Sequence, residues 1–266
     1  MPTKLEEIIA STRRCIAESQ LRVSRADLER QAGLHTPRGF AAALRSIAAA
    51  GPAVIAELKK ASPSKGVIRG SFHTAALALE LSRGGAAALS VLTNEQFFQG
   101  SLDYLVEVSA AVPIPLLRKD FIIDEYQVLE ARANCADAIL LIVAALTPKE
   151  LSNLHRVATE RGLDVLTEIH DEHELDIAIG AGCNIIGVNN RNLHTFAVDL
   201  NTAIELGPKI PPSALKVAES GIGTREDIDA LRTAGYHGFL IGESLMRRDH
   251  PGHALAELLN PSAVTS

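Results

Sequence analysis

Gly182-Cys183-Asn184-Ile185-Ile186-Gly187-Val188-Asn189-Asn190-Arg191 carries the pattern that decides the fold. A glycine three residues ahead of a short unbroken apolar run reads as a helix ending in a left-handed residue, followed by a strand buried on both faces. The spacing recurs where Gly85 precedes Ala88-Leu89-Ser90-Val91 and where Gly235 precedes Gly238-Phe239-Leu240-Ile241. In a fourth copy the slot holds Cys135, with Asn134 beside it. Asparagine tolerates the left-handed region, so the turn is expected to shift by one residue there.

Working outward, apolar runs recur at fairly even spacing: Ala53–Lys59, Ala87–Thr93, Ile114–Asp120, Ala138–Ala145, Asp164–His170, Ile185–Arg191, Lys216–Gly221 and Gly238–Glu243. Segments with helical spacing lie between them, including Ala75–Arg83, Glu125–Ala133, Pro148–Arg161 and Arg225–Ala234. Eight such strand–helix units predict parallel pairing in an α/β protein, closed as a (β/α)8 TIM barrel. An open doubly wound sheet is the alternative. It would usually carry a glycine-rich dinucleotide turn after the first strand, and Ala53–Lys59 is followed by none. Residues 1–52 are expected to form an N-terminal helical extension, helical at Leu5–Ile9 and Phe40–Leu44. It is expected to pack on the barrel within one domain spanning 1–266. The tail, Pro251–Ser266, is expected to hold a helix over His253–Leu259 and then fray. The repeated turns lie at the barrel's stability face, so Cys135 and Cys183 read as structural.

The chain has 266 residues, 47% hydrophobic and 22% charged, which excludes a disordered protein. A net charge of −6 argues against a nucleic-acid binder. Three scattered cysteines make no disulfide framework, so a reduced, cytoplasmic setting is expected. No targeting segment is expected in Met1–Ala17. The longest stretch free of Asp, Glu, Lys and Arg, Ile177–Asn190, falls short of the ~20 apolar residues of a membrane span, and a soluble protein is expected.

Charges cluster where the strands end. Glu57 and Lys59 end the first; Lys119, with Arg118 and Asp120, ends the third; Glu168 lies late in the fifth; Asn189 and Arg191 end the sixth; Glu219 and Ser220 end the seventh. In a barrel these ends share one mouth, where the active site belongs. Residues two apart on a strand face one side, so Glu57 pairs in direction with Lys59, and Asn189 with Arg191. A lone strand-end ion could be a rim staple, but converging charges are costly to bury unless paired or used. Lysines beside carboxylates allow proton donors and acceptors with separated pKa values. Lys59 near Lys119 is expected to lower the pKa of Lys119. Glu219-Ser220-Gly221-Ile222-Gly223 and Ile241-Gly242-Glu243-Ser244 occupy the seventh and eighth loops, a frequent phosphate site in barrels. Ala61-Ser62-Pro63-Ser64-Lys65-Gly66 lacks the Walker frame and reads as a lid or a plain polar loop. Phe97-Phe98 and Phe121 read either as core or as flanking a flat apolar substrate group at the mouth, and their place in loops favours the second. His170-Asp171-Glu172-His173-Glu174 lacks the spacing of a zinc-protease helix, and its acids suit the first turn of a helix. No metal site is expected.

These segments in order resemble indole-3-glycerol-phosphate synthases. The resemblance rests on Ile55–Gly66, on Leu89–Thr93 with Phe97–Ser101, and on Leu117–Phe121. It continues through Gly187–Arg191, Ala218–Ile222 and Leu240–Met246, and spans nearly the whole chain. It implies a (β/α)8 barrel of tryptophan biosynthesis. Such an enzyme closes 1-(2-carboxyphenylamino)-1-deoxyribulose 5-phosphate to indole-3-glycerol phosphate, with loss of CO2 and water. It implies no cofactor and no metal.

By the same resemblance Lys119 is the general acid on the ketone oxygen. Lys59, paired with Glu57, holds the substrate carboxylate and assists proton transfer, and Glu168 is the acid/base of dehydration. The division of proton transfers between Glu168 and the Glu57/Lys59 pair stays open. Asn189 and Glu219 position groups, Arg191 supports the charged site, and Ser62 contacts substrate. Ser220, Gly221, Gly242 and Glu243 form the phosphate cradle through their backbones, without the Glu243 carboxylate. Phe98, Phe121, Leu140 and Leu240 enclose the anthranilate ring. The expected partner is a phosphorylated small molecule, not nucleic acid or membrane. A monomer is expected, with docking to other tryptophan-pathway enzymes open. Asn192 replaces a common Asp, Ser71-Phe72-His73-Thr74 an acidic proline-containing stretch, and Cys135 a glycine; none removes a proton-transfer residue. A phosphate-binding barrel without activity, and an isomerase of phosphosugars, are the competing readings. The intact polar set argues against the first and the Ala61–Gly66 loop against the second.

Overall fold

Strands that are apolar on both faces must be covered on both, so they pair with one another and take helices outside. Here β1 (Ala53–Leu58), β2 (Ala88–Leu92), β3 (Leu116–Lys119), β4 (Ala138–Ile142), β5 (Asp164–Ile169), β6 (Ile185–Asn189), β7 (Leu215–Glu219) and β8 (Gly238–Ile241) close into a parallel barrel, β1 pairing with both β2 and β8. The structure is a computed structural model that describes residues 3–193 and 195–260. The fourth apolar run stops being a strand at Ile142; Val143–Ala145 is a 3₁₀ turn. Ala61–Ser62 and Gly66–Val67 pair as a small antiparallel hairpin after β1. Among the described residues no helix is long and apolar enough to cross a membrane.

Alternation along the strands places the site. Ala53 and Ile55 of β1, Leu117 of β3, Leu166 of β5, Leu215 and Val217 of β7 and Leu240 of β8 belong to an inner apolar cluster. Their neighbours Val54, Ala56, Leu116, Val165, Ala218 and Phe239 belong to an outer cluster shared with the helices. With a period of two, the inner parity continues to Glu57 and Lys59, Lys119, Glu168, Asn189 and Glu219. Arg118 has the opposite parity. It is not a mouth residue: buried behind the sheet, it bonds Thr93 (3.2 Å), the Gln127 carbonyl (2.9 Å) and Glu130 (2.9 Å).

The extension forms α1 (Lys4–Arg22), α2 (Arg25–Ala32) and α3 (Phe40–Ala48). The middle helix, not anticipated from its polar sequence, starts at a Ser24 cap that accepts from the Asp27 amide. Fully buried Phe40 and Leu44 of α3 join the inner cluster and plug the bottom of the barrel. Buried Asp137 holds this plug by accepting from the Arg38 amide (2.7 Å), Arg38 Nε (2.9 Å) and the Leu116 amide (2.7 Å). The last helix spans Pro251–Leu259; of the tail expected to fray after Leu259, residues 261–266 lie outside the described residues.

Gly85, Gly182 and Gly235 take φ of 100°, 81° and 92°, as left-handed helix ends require. The fourth turn does not shift. Cys135 itself takes φ 67°, while Asn134 stays at −100° and donates its side-chain N–H to the Glu130 carbonyl at 2.8 Å. Asn134 is used as a side-chain cap, so the left-handed residue falls on cysteine at a cost of about 1–2 kcal/mol.

Candidate active site

The mouth of the barrel opens on a cavity of about 770 Å³. All sixteen residues singled out above for catalysis, substrate or phosphate line it. Strand ends supply the polar floor: Lys119 Nζ donates to Glu168 Oε2 at 2.8 Å and to Glu219 Oε2 at 2.9 Å. Beside them Lys59 pairs with Glu57. Glu57, Glu168 and Glu219 are each no more than 2% exposed, so their charges act with little screening by water.

This packing sets the protonation states. Burial opposes the charge on Lys119, but Glu168, Glu219 and Glu57 together hold its pKa above the ordinary lysine value. The lowering expected from Lys59 is therefore overturned, because the three carboxylates outweigh one cation. Burial also opposes ionisation of Glu168, yet Lys119, His170 and a hydrogen bond from Asn189 bring it down to about 2. Burial pushes Glu219 up to about 7, reinforced by the charges of Glu168 and Glu57. One carboxylate is ionised and its neighbour holds a proton near neutrality, the separation that acid–base chemistry needs. Since folded Glu219 binds its proton more tightly than the unfolded chain, its contribution to stability falls as pH rises from 4.5 to about 7. The contribution of Glu168 is lost only as pH falls from 4.5 towards about 2. Glu219→Gln should therefore flatten the decline in Tm between about pH 5 and about pH 7. An unchanged decline would remove Glu219 as its source.

Space for these groups comes from absent side chains. A Cβ on Gly187 would lie 2.2 Å from Glu219 Oε1 and 3.1 Å from Leu166 Cδ1. A Cβ on Gly242 would lie 2.4 Å from Glu57 Oε1. Gly242 thus first makes room for Glu57, a reason the sequence did not show. Ser220 and Gly221 follow one another with φ of 67° and 79°, turning the seventh loop sharply at the mouth. Glu243 turns its carboxylate onto Arg247 at 2.9 and 3.1 Å, with Arg191 at 4.0 Å. Its charge is held below the ordinary carboxylate range: burial opposes this, but Arg247, Lys65 and Lys59 prevail. Arg191 is fixed by the Phe196 carbonyl at 3.2 Å.

The apolar wall is made by Leu140, Leu240 and the rings of Phe98 and Phe121, whose centroids are 6.4 Å apart. Phe97 is not part of the lining; it lies under the ammonium of Lys4, 5.0 Å from the ring centroid. Sequence reasoning missed Lys4, Leu5 and Ile8 of α1, which complete the lining from above. It missed Asp120 as a brace, which accepts from Asn94 Nδ2 (3.3 Å) and the Phe121 amide (2.9 Å) and so ties two loops. Of the departures, Asn192 accepts from the Thr195 amide at 3.0 Å and closes its own turn. His73 leaves its helix without a side-chain cap.

Comparison with known proteins bears on this mouth. The family model described as indole-3-glycerol phosphate synthase matches residues 5–258. A curated indole-3-glycerol phosphate synthase from Koribacter versatilis (strain Ellin345) is 56% identical over 259 residues, covering 97% of this chain and all of that protein. Among solved structures, thiamine phosphate pyrophosphorylase from Pyrococcus furiosus superposes with a TM-score of 0.57 at 15% identity, over 78% of this chain and 93% of that one. A structure described as native KDPGal gives 0.52 at 18% identity, over 77% and 89%. At those identities the two structures speak for the barrel alone.

Proposed function

The chain belongs to the indole-3-glycerol phosphate synthase family, and on that premise we propose how its mouth closes the ring of 1-(2-carboxyphenylamino)-1-deoxyribulose 5-phosphate. The observation that carries the proposal is one ammonium, Lys119, only 14% exposed and set between two carboxylates whose protonation states are pulled apart. The phenyl ring lies against Phe98, Phe121, Leu140 and Leu240. The phosphate meets backbone N–H groups at Ser220–Gly221 and Gly242–Glu243, where the Glu243 carboxylate is already occupied by Arg247. Lys59 faces the substrate carboxylate, with Glu57 keeping it in place. The ring carbon attacks the ketone, and Lys119 gives its proton to the oxygen as charge develops there. Departure of CO2 restores aromaticity. Glu168 serves the departing hydroxyl as acid/base, with Asn189 and Glu219 positioning it and Lys119.

No step of this scheme uses a metal. Activity should survive exhaustive chelation; loss on EDTA treatment, restored by zinc or magnesium, would overturn the scheme. The decisive assay offers the carboxyphenylamino substrate and follows indole fluorescence, which a chain without tryptophan leaves clear of background. Absence of indole formation by the folded protein would refute the proposal. The same reading sets the protein in the cytoplasm, acting as a monomer.

A further inference from the structure

His170 was read as part of a helix-start cluster, but it touches the floor of the mouth. It follows β5 two residues after Glu168 and shares its inward parity. Its Nδ1 lies 3.0 Å from Glu174 Oε2, which also accepts from the His170 amide at 2.8 Å. That contact makes Nδ1 a donor and turns the opposite nitrogen inward. Nε2 lies 3.5 Å from Glu168 Oε1, is buried and makes no hydrogen bond. Glu168 is thus met by Lys119 at one oxygen and by His170 at the other, and His170 lies outside the cavity lining. The charged groups facing the imidazole are Glu168 on its own strand, Glu174 on the helix Glu172–Gly180 and Glu219 on β7. Burial opposes its charge, but these carboxylates raise its pKa above the ordinary histidine value.

The chemistry calls for such a group. One proton goes to the ketone oxygen and one to the departing hydroxyl, which leaves as water. One proton comes off the methylene carbon beside nitrogen as the indole forms, and goes to the Lys119 amine left neutral by the first step. The substrate carboxylate leaves as neutral CO2 and yields none, so each turnover consumes one proton net. Glu168, held ionised, must be handed a proton before it can protonate the hydroxyl. We propose that His170, braced by Glu174, is a positioning residue that acts through Glu168 and relays to it the proton each turnover consumes. Imidazolium Nε2–H gives its proton to the Glu168 carboxylate as that group protonates the hydroxyl. Neutral imidazole, still donating through Nδ1 to Glu174, then regains a proton from water. This inference rests on the role of Glu168 proposed above.

The test is the pH profile of kcat for His170→Asn and Glu174→Gln. The relay needs protonated His170, so kcat should fall on the alkaline side with the pKa of His170. In His170→Asn that limb should vanish and kcat should drop between about tenfold and about 10²-fold, with KM nearly unchanged. In Glu174→Gln, which removes a charge favouring imidazolium, the limb should move to lower pH. Glu219 also titrates near this range, but Glu174 does not bond it, so only a limb owned by His170 should move. A wild-type kcat and limb in His170→Asn would overturn the relay. If His170→Asn does not fold, an unmoved limb in Glu174→Gln overturns it alone. Glu168→Gln separates the two levels: wild-type turnover there sinks the acid/base role itself, whereas a loss there with inert His170 and Glu174 variants sinks only the relay.

Discussion

Lys119→Met is expected to lower kcat by about 10²–10⁴-fold while the protein stays folded. The methionine keeps most of the stem and removes the ammonium that bridges Glu168 and Glu219. A lysine with a raised pKa is still an effective donor here, because an alkoxide is a far stronger base than an amine. The raised value also means that Lys119 stays protonated at any working pH. Loss of the cation leaves two buried carboxylates facing one another, and such a pair relieves itself by binding protons. The variant should therefore be more sensitive to rising pH in thermal unfolding than the wild type. A drop in kcat of less than about tenfold would end the general-acid role. Unfolding at every pH would make Lys119 a structural ion.

Gly242→Asp should raise KM for the phosphorylated substrate by about 10²-fold or more, because like charges brought together cost several kcal/mol. Its backbone φ of −127° is not left-handed, so a positive-φ penalty is not the reason. Two separate effects are expected instead. The new Cβ would fall 3.0 Å from Glu57 Cβ and closer still to its carboxylate, displacing the Glu57/Lys59 pair and lowering kcat. The new carboxylate would add negative charge at the proposed phosphate site. Gly242→Ala isolates the first effect, and should lower kcat with a much smaller change in KM. An unchanged KM in Gly242→Asp would contradict the phosphate assignment, and equal KM values in the two variants would show that charge is not the cause.

Much of the mouth was legible because strands impose a period of two. Glu57 with Lys59, and Asn189 with Arg191, were placed together from spacing alone, and all four line one cavity. That rule failed at Leu117-Arg118-Lys119-Asp120, where three consecutive charges gave no sign of which faced inward. The register of β3 against β2 and β4 decides it, sending Lys119 to the mouth and Arg118 to the helices. The Lys119 pKa was misjudged because one lysine neighbour is visible in sequence, whereas Glu168, Glu219 and Glu57 converge only in space.

By itself the sequence determined the eight barrel strands alternating with helices, and the charged and polar side chains at their ends that line one mouth. These are written in local periodicity and turn residues, which depend on neighbours along the chain. Tertiary structure alone decided which glycine yields to which carboxylate, that α1 roofs the cavity, and that His170 meets Glu168. Closure of the barrel sets the distances between side chains from different strands, and the packing of α1 and the turn after β5 sets the rest. Protonation at buried sites follows those distances, so it too is a property of the folded chain.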